Sequence, residues 1–469
     1  MFFKIKQSDK QDPNNEISQE QQPYDKEKVQ LEEESDGSSS SMNTKTLEEA
    51  AQQDKEAEND VIPDGGVGWI VVSGAFLSVI TSYGVMQDYY EQLWGDEVSD
   101  VQLKLSFVST FCFIFANLCG PIAQIMRSMW GTRFVLFVGT MFVAVGLIIA
   151  GFSTQIWHLY LTQGIMFGTG VSLLYVTLMA VVPQYFEKRR AVALGIVSSG
   201  SGIGGLIVPF VMTPINRSLG SGWTYRVVGF ICLGCDLITC ILVKDRKPLK
   251  RQRKKISEVV KISVFKDKNF RIWCLGACVQ MFGYYIPYFF LPSYCTWLGL
   301  SDAQGSSLIS VSSAANFVGR IICGFLADRF GVVNINILFV LISGLSTLLM
   351  WSFAYSYGLL MAYSTIFGLV SGSFFALVAP ITLNILGVER FPSGLSMVLI
   401  IVIISVFGPN IASAIDGGAG AEPYFAYKMF TGVAYIAATF VMLWLKFSIN
   451  RKVFAKCKAG GIIILLYRI

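Results

Sequence analysis

Apolar runs of about 20 residues recur along the chain, near 67–90, 104–125, 133–152, 157–182, 191–213 and 223–243. A second set follows near 272–294, 305–327, 333–354, 357–381, 393–415 and 424–447. A helix of about 20 residues spans a hydrocarbon core of ~30 Å. The pattern therefore predicts an all-α integral membrane protein with twelve transmembrane helices in two six-helix halves. Polar positions interrupt the eighth run in register. Ser310, Ser313, Asn316 and Arg320 stand three, three and four residues apart and share one helical face. A charge at such a depth costs a few kcal/mol in lipid, so Arg320 needs a partner, a solute or water. Two readings fit it: a counter-charge for a transported solute, or a structural residue reaching for nearby headgroups.

Polar flanks give the domain plan. Residues 1–62 hold 16 acidic and seven basic residues and a Ser38–Ser41 run, a composition that cannot form a core and predicts a disordered acidic tail. The six-helix halves are expected at 63–243 and 272–448, with a basic loop at 244–271 and a basic tail at 449–469. That loop carries 12 basic against three acidic residues. Most other Lys and Arg lie on the side shared with the N-terminus, with Lys104, Arg217, Arg226 and Lys428 assigned to the opposite side. The bias puts both termini in the cytoplasm. A multi-pass protein of the plasma membrane, in preference to the vacuolar membrane, is the expectation, with the basic loop held on anionic lipid.

Composition agrees, at 53% hydrophobic and 15% charged, with mean hydropathy +0.54. The single histidine, His158, and ten scattered cysteines offer no metal site, and no catalytic set emerges. Neither an enzyme nor a nucleic-acid binder is expected, nor any cofactor; the expected partners are a small solute and lipid. An accessory subunit is left open. Gly200-x-Gly202-x-x-Gly205 lies in an apolar helix with no strand before it, so it is no dinucleotide fingerprint. Asp236, deep in the sixth run, reads as a scaffold residue.

Internal matches recur at an offset near 200. Phe167-Gly168 pairs with Phe367-Gly368, Val182-Pro183 with Ala379-Pro380, and Gly131 with Gly331. Duplicated halves place a solute cavity between them at the midplane.

Three motifs carry a resemblance to a known family. Gly324-Phe325-Leu326-Ala327-Asp328-Arg329-Phe330-Gly331 resembles the G-x-x-x-D-R-x-G loop of the major facilitator superfamily, where it latches the cytoplasmic side. Its first-half copy is degraded, with Gln124, Ser128 and Met129 in place of Gly, Asp and Arg. Asp64-Gly65-Gly66-Val67-Gly68-Trp69 resembles the opening signature of the monocarboxylate transporter family. Tyr185 to Arg190, with Lys188-Arg189-Arg190, is similar to that family's motif before helix five, and the long acidic tail looks like fungal-type members.

The resemblance implies the major facilitator fold and alternating-access movement of a monocarboxylate-like anion. Arg320 matches the family's helix-eight arginine. Asn316 replaces its aspartate and Gln87 stands where a helix-one lysine is usual, so the titrating pair for proton coupling is missing. Asp88 and Glu91 are possible substitutes. The candidate solute site is Arg320, Asn316, Gln87, Ser313 and Tyr284, shaped by Tyr89, Tyr90, Tyr285, Phe374 and Phe375. A carrier of a neutral metabolite and a non-transporting nutrient receptor are the alternatives.

Overall fold

The computed structural model describes residues 64–81, 101–246, 261–418 and 422–460. The acidic tail, the centre of the basic loop and Gln87, Asp88, Tyr89, Tyr90 and Glu91 lie outside them. The described residues belong to one compact unit.

The helices fall on the expected runs. α1 is Val67–Ile80. α2 is Lys104–Leu118 with Gly120–Trp130, bent by 44° at their junction. α3 is Thr132–Ala150 and α4 is Ile156–Gln184, which includes a π-helical stretch at Tyr160–Phe167. The continuous run Arg190–Leu242 turns through Gly220 at φ 79°, giving α5 (190–219) and α6 (221–242). α7 is Lys268–Trp297, α8 is Asp302–Phe330 and α9 is Val332–Leu349. The run Tyr357–Gly418 divides at Gly387, φ 72°, into α10 (357–386) and α11 (388–418). α12 is Phe425–Gly460.

Local chemistry explains the ends. Ser301 and Gln304 close a capping box at the start of α8, and Asp267 accepts from the Asn269 N–H at the start of α7. Gly131 and Gly331 turn the α2–α3 and α8–α9 corners at φ 91° and 94°, a left-handed geometry that disfavours any side chain.

The 200-residue offset is a packing repeat. Phe167 and Phe367 are both buried. A Cβ on Gly168 would lie 2.7 Å from Cys112 O, and one on Gly368 would lie 2.4 Å from Ser312 O. Helix four thus touches helix two as helix ten touches helix eight, through residues that are themselves 200 apart. The proline match does not extend to structure. Pro183 sits in a 3-10 turn closing α4, whereas Pro380 lies within the helical body of α10.

Large apolar side chains face outward on α3 (Phe134, Phe137), α6 (Phe230, Ile241), α9 (Leu338, Leu345) and α12 (Phe440, Phe447). Exposed apolar surface of that extent suits lipid. Lys428 is buried near the start of α12, its Nζ donating to Tyr294 Oη at 2.9 Å. Residues 216–218 lie in the last turn of α5, which runs on to Gly220.

Candidate functional site

At one end of the bundle, here termed the motif end, the expected signatures meet. Asp64 and Gly66 turn the chain with φ of 45° and 58°. The turn presents the Asp64 carboxylate to the N–H groups of Glu187, Lys188 and Arg189, at 2.6, 2.8 and 3.3 Å from Oδ1. Partial burial pushes the Asp64 carboxyl up, but these three donors and the Lys188 charge outweigh it and hold the pKa below the usual 3.8. Gly68 leaves room for the Phe186 ring, which a Cβ would meet at 2.9 Å, and Trp69 packs edge-on against that ring at 5.0 Å. The two family-like motifs are therefore two sides of one contact. The basic side chains take little part in it. Lys188 and Arg189 are exposed, while Arg190 bonds back to Phe186 O.

Asp328 belongs to the other half and works on the same segment. Its two oxygens accept from Ala191 N (2.9 Å) and Val192 N (2.8 Å), the free amides at the start of α5. A carboxylate there satisfies orphan donors and opposes the helix dipole. Asp328 caps the opposite half, and Arg329 stands exposed beside the Phe330 ring. Gly324 and Gly331, from the same motif, supply contact and turn. A Cβ on Gly324 would lie 2.4 Å from Ala191 O, so α8 and α5 touch backbone to backbone.

The first half has no such latch in its α2–α3 loop, in line with its degraded motif. Arg127 pairs instead with Asp245 just after α6, Nη2 to Oδ1 at 2.6 Å. Thr132 and Gln184 also bond to that carboxylate. Neither Arg127 nor Asp245 was singled out from sequence, because neither sits at a family motif position.

Arg320 lies further along the same α5–α8 seam. It is 5% exposed. Nη1 donates to Ser198 O at 2.6 Å and Ser201 Oγ at 2.7 Å, both on α5 of the other half. Nη2 is 3.5 Å from Tyr284 Oη, and the guanidinium lies 4.6 Å from the centroid of Phe375. Nε has no partner, and no carboxylate pairs with Arg320 among the described residues. Asn316, one turn away, donates to Gly368 O at 3.1 Å and lies 3.4 Å from Tyr288 Oη. Gly372, at a break in α10, makes room for both: a Cβ there would sit 2.7 Å from Asn316 Nδ2 and 2.8 Å from Arg320 Nε.

Of the predicted solute-site residues, Arg320, Asn316 and Tyr284 come together, and Ser313 is half-buried on the same helix. Gln87 is outside the described residues. Ser198, Ser201 and Tyr288 were missed; they are ordinary residues whose role appears only when α5, α7 and α8 converge. Asp236 is fully buried in α6, accepting from Thr81 Oγ1, just after α1, at 3.3 Å.

Long apolar helices, packed backbone to backbone along the α5–α8 seam and holding a buried cation there, define a polytopic membrane protein. The chain belongs to the Major Facilitator Superfamily, whose family profile matches residues 68–331. It is similar to the MFS transporter asaE of Aspergillus flavus, 29% identical over 84% of this chain and 90% of that protein. The Fujikurins efflux protein of Gibberella fujikuroi is 29% identical, over 85% and 86%. The probable transporter MCH2 of Saccharomyces cerevisiae is 25% identical, over 81% and 82%. Among solved structures, the human organic anion transporter MFSD10 superposes with TM-score 0.65 at 13% identity, covering 81% of this chain and all of that one. The fold is that of the superfamily, and the chain is a secondary transporter of small solutes, not an enzyme.

Proposed function

We propose that this transporter moves a monocarboxylate-like organic anion, bound at Arg320, without the proton coupling that a titrating pair would provide. One observation carries the reading: a buried guanidinium with an unpartnered Nε and no acidic partner among the described residues. An unpaired charge in low dielectric costs several kcal/mol, and a bidentate carboxylate offsets that cost. Asn316 next to it cannot exchange a proton in the physiological range. Bonds from Nη1 to α5 join the halves, so an anion arriving at Arg320 competes with the seam itself. Binding and rocking are thereby coupled through one side chain. The relatives named as efflux proteins support export as the direction, and the plasma membrane is the corresponding location. The monocarboxylate transporter subfamily is supported by the Asp64 and Tyr185–Arg190 motifs. The acidic tail, the basic loop and the cytoplasmic placement of both termini belong to the same proposal.

The test is uptake of labelled pyruvate into proteoliposomes, with and without a pH gradient, for the parent and Arg320→Ala. Saturable uptake lost in the variant and indifferent to the gradient supports the reading. Gradient-driven accumulation contradicts uncoupled transport and directs attention to Asp88, Glu91 or Asp236. Absence of uptake by folded parent protein favours a neutral solute.

A further inference from the structure

A groove opens sideways between α3 and α6 at the motif end, lined by neither α5 nor α8. Its volume is about 500 Å³, and its walls are Arg133, Phe137, Leu237, Cys240 and Ile241. Arg133 and Phe137 stand one turn apart on α3, as do Ile241 and Leu237 on α6, so the groove runs along the helix axes. α3 starts and α6 finishes at this end of the bundle. Arg133 and Ile241 therefore mark the rim, with Phe137 and Leu237 a turn deeper, about 5 Å further in. Phe137, Leu237 and Ile241 are exposed, and so are Phe134 and Ile238 beside them. Cys240 also reaches the buried Thr140 of α3, Sγ to Oγ1 at 3.6 Å, which joins the two helices at that level.

The rim carries a charge without an answer. Arg133 is exposed and enters no ion pair among the described residues. Asp245, which follows α6, is already held by Arg127, Thr132 and Gln184.

We infer that this groove binds an anionic phospholipid, with the phosphate on Arg133 and one acyl chain against Phe137, Leu237 and Ile241. Exposed apolar side chains on both helices set the groove against lipid rather than water. An apolar slot with a cation at its mouth matches a molecule made of a hydrocarbon chain and a charged head. The guanidinium fork takes two phosphate oxygens. A zwitterionic head offers the same phosphate together with a cation that Arg133 repels, so the site selects net negative charge. On the proposed orientation the rim lies in the cytoplasmic leaflet, where anionic lipid attracts basic residues. Thr132, next to Arg133, bonds to Asp245. A lipid spanning Arg133 and α6 thus ties the α2–α3 corner to the end of α6 from the membrane side, as Asp245 does from the protein side.

The experiment is native mass spectrometry of the full chain in detergent, offered equal amounts of phosphatidylserine and phosphatidylcholine with identical acyl chains. Parent, Arg133→Ala, Leu237→Trp and Lys268→Ala are compared. The parent is expected to retain phosphatidylserine in preference to phosphatidylcholine. Arg133→Ala should cut that preference about fivefold, the contribution of one basic residue beside anionic lipid; Arg133 is exposed, so its removal leaves the core intact. Leu237→Trp fills the slot and should lower retention of both lipids. Lys268→Ala, which removes an exposed cation from the other half, should change neither. Equal retention of the two lipids by the parent overturns the inference. So does a loss of preference in Lys268→Ala as large as in Arg133→Ala, because the attraction is then diffuse. Displacement of the lipid by glycerophosphoserine, a head without chains, overturns it too, by leaving a phosphate site in which the groove has no part.

Discussion

Gly324→Ala is the smallest change that tests how the halves are latched. The new Cβ would lie 2.4 Å from Ala191 O, 2.9 Å from Ala191 C and 3.0 Å from Val192 Cα, all backbone of the other half. Ordinary contact for such atoms begins near 3.4 Å, so α8 and α5 must part by about 1 Å, at the ~1–3 kcal/mol typical of overpacking. A separation of that size carries Asp328 beyond hydrogen-bond range of Ala191 N and Val192 N, now 2.9 and 2.8 Å away. It also loosens the 2.6 Å bond from Arg320 to Ser198 O. Because the clash is relieved when the motif end opens, the population should move towards the open form by roughly 5- to 150-fold. Spin labels at Lys188 and Phe330, both exposed, read the distance directly in nanodiscs. A longer distance with altered transport is expected. An unchanged distance distribution, in protein that transports normally, refutes the reasoning.

Other perturbations distinguish structural from gating contacts. Gly319→Ala should be worse than Gly324→Ala, since its Cβ would overlap Leu369 O within one half, where rocking brings no relief; the expected result is a lower unfolding temperature in detergent, not a shifted label distance. Arg127→Ala leaves Asp245 without its ion-pair partner but still bonded to Thr132 and Gln184, and a loss of about 1–2 kcal/mol is expected for breaking a partly buried pair; chemical unfolding of the single and double variants measures it. Asp64 has a folded pKa below 3.8, so its contribution is present above that pH and lost as the pH falls through the folded value. Asp64→Asn should therefore unfold at a lower temperature than the parent near neutral pH, with the gap closing in acid; thermal scans across pH show whether it does.

Much of the fold was legible because membrane helices are written in composition. Twelve apolar runs and corner glycines such as Gly131 and Gly331 follow from local rules. The α5–α6 and α10–α11 breaks were legible too, falling between the runs 191–213 and 223–243 and between 357–381 and 393–415, although the turning glycines Gly220 and Gly387 were not singled out. Arg320 and Asn316 were visible as polar residues in an apolar run. Their surroundings were not, because Ser198, Ser201 and Tyr288 gain meaning only when separate helices converge. The Asp64 and Asp328 motifs were recognisable as strings, yet their shared target, the amides of residues 187–192, is a backbone feature with no sequence signature. Arg127 and Asp245 escaped for a related reason: the motif position in that half is degraded, and the pair forms with a loop 118 residues away.

An uncoupled carrier of a monovalent anion moves one net charge per cycle, and each charge is worth ~2.3 kcal/mol per 100 mV. A potential of that size should therefore sustain an accumulation of about 50-fold. The most direct measurement is the current evoked by an organic acid on proteoliposomes adsorbed to a solid-supported membrane, parent against Arg320→Ala, at matched pH. A saturable current with the sign of anion movement, absent in the variant, is the expected result. Saturable uptake without current, or a current that Arg320→Ala leaves intact, contradicts an arginine-bound anion moving without a proton.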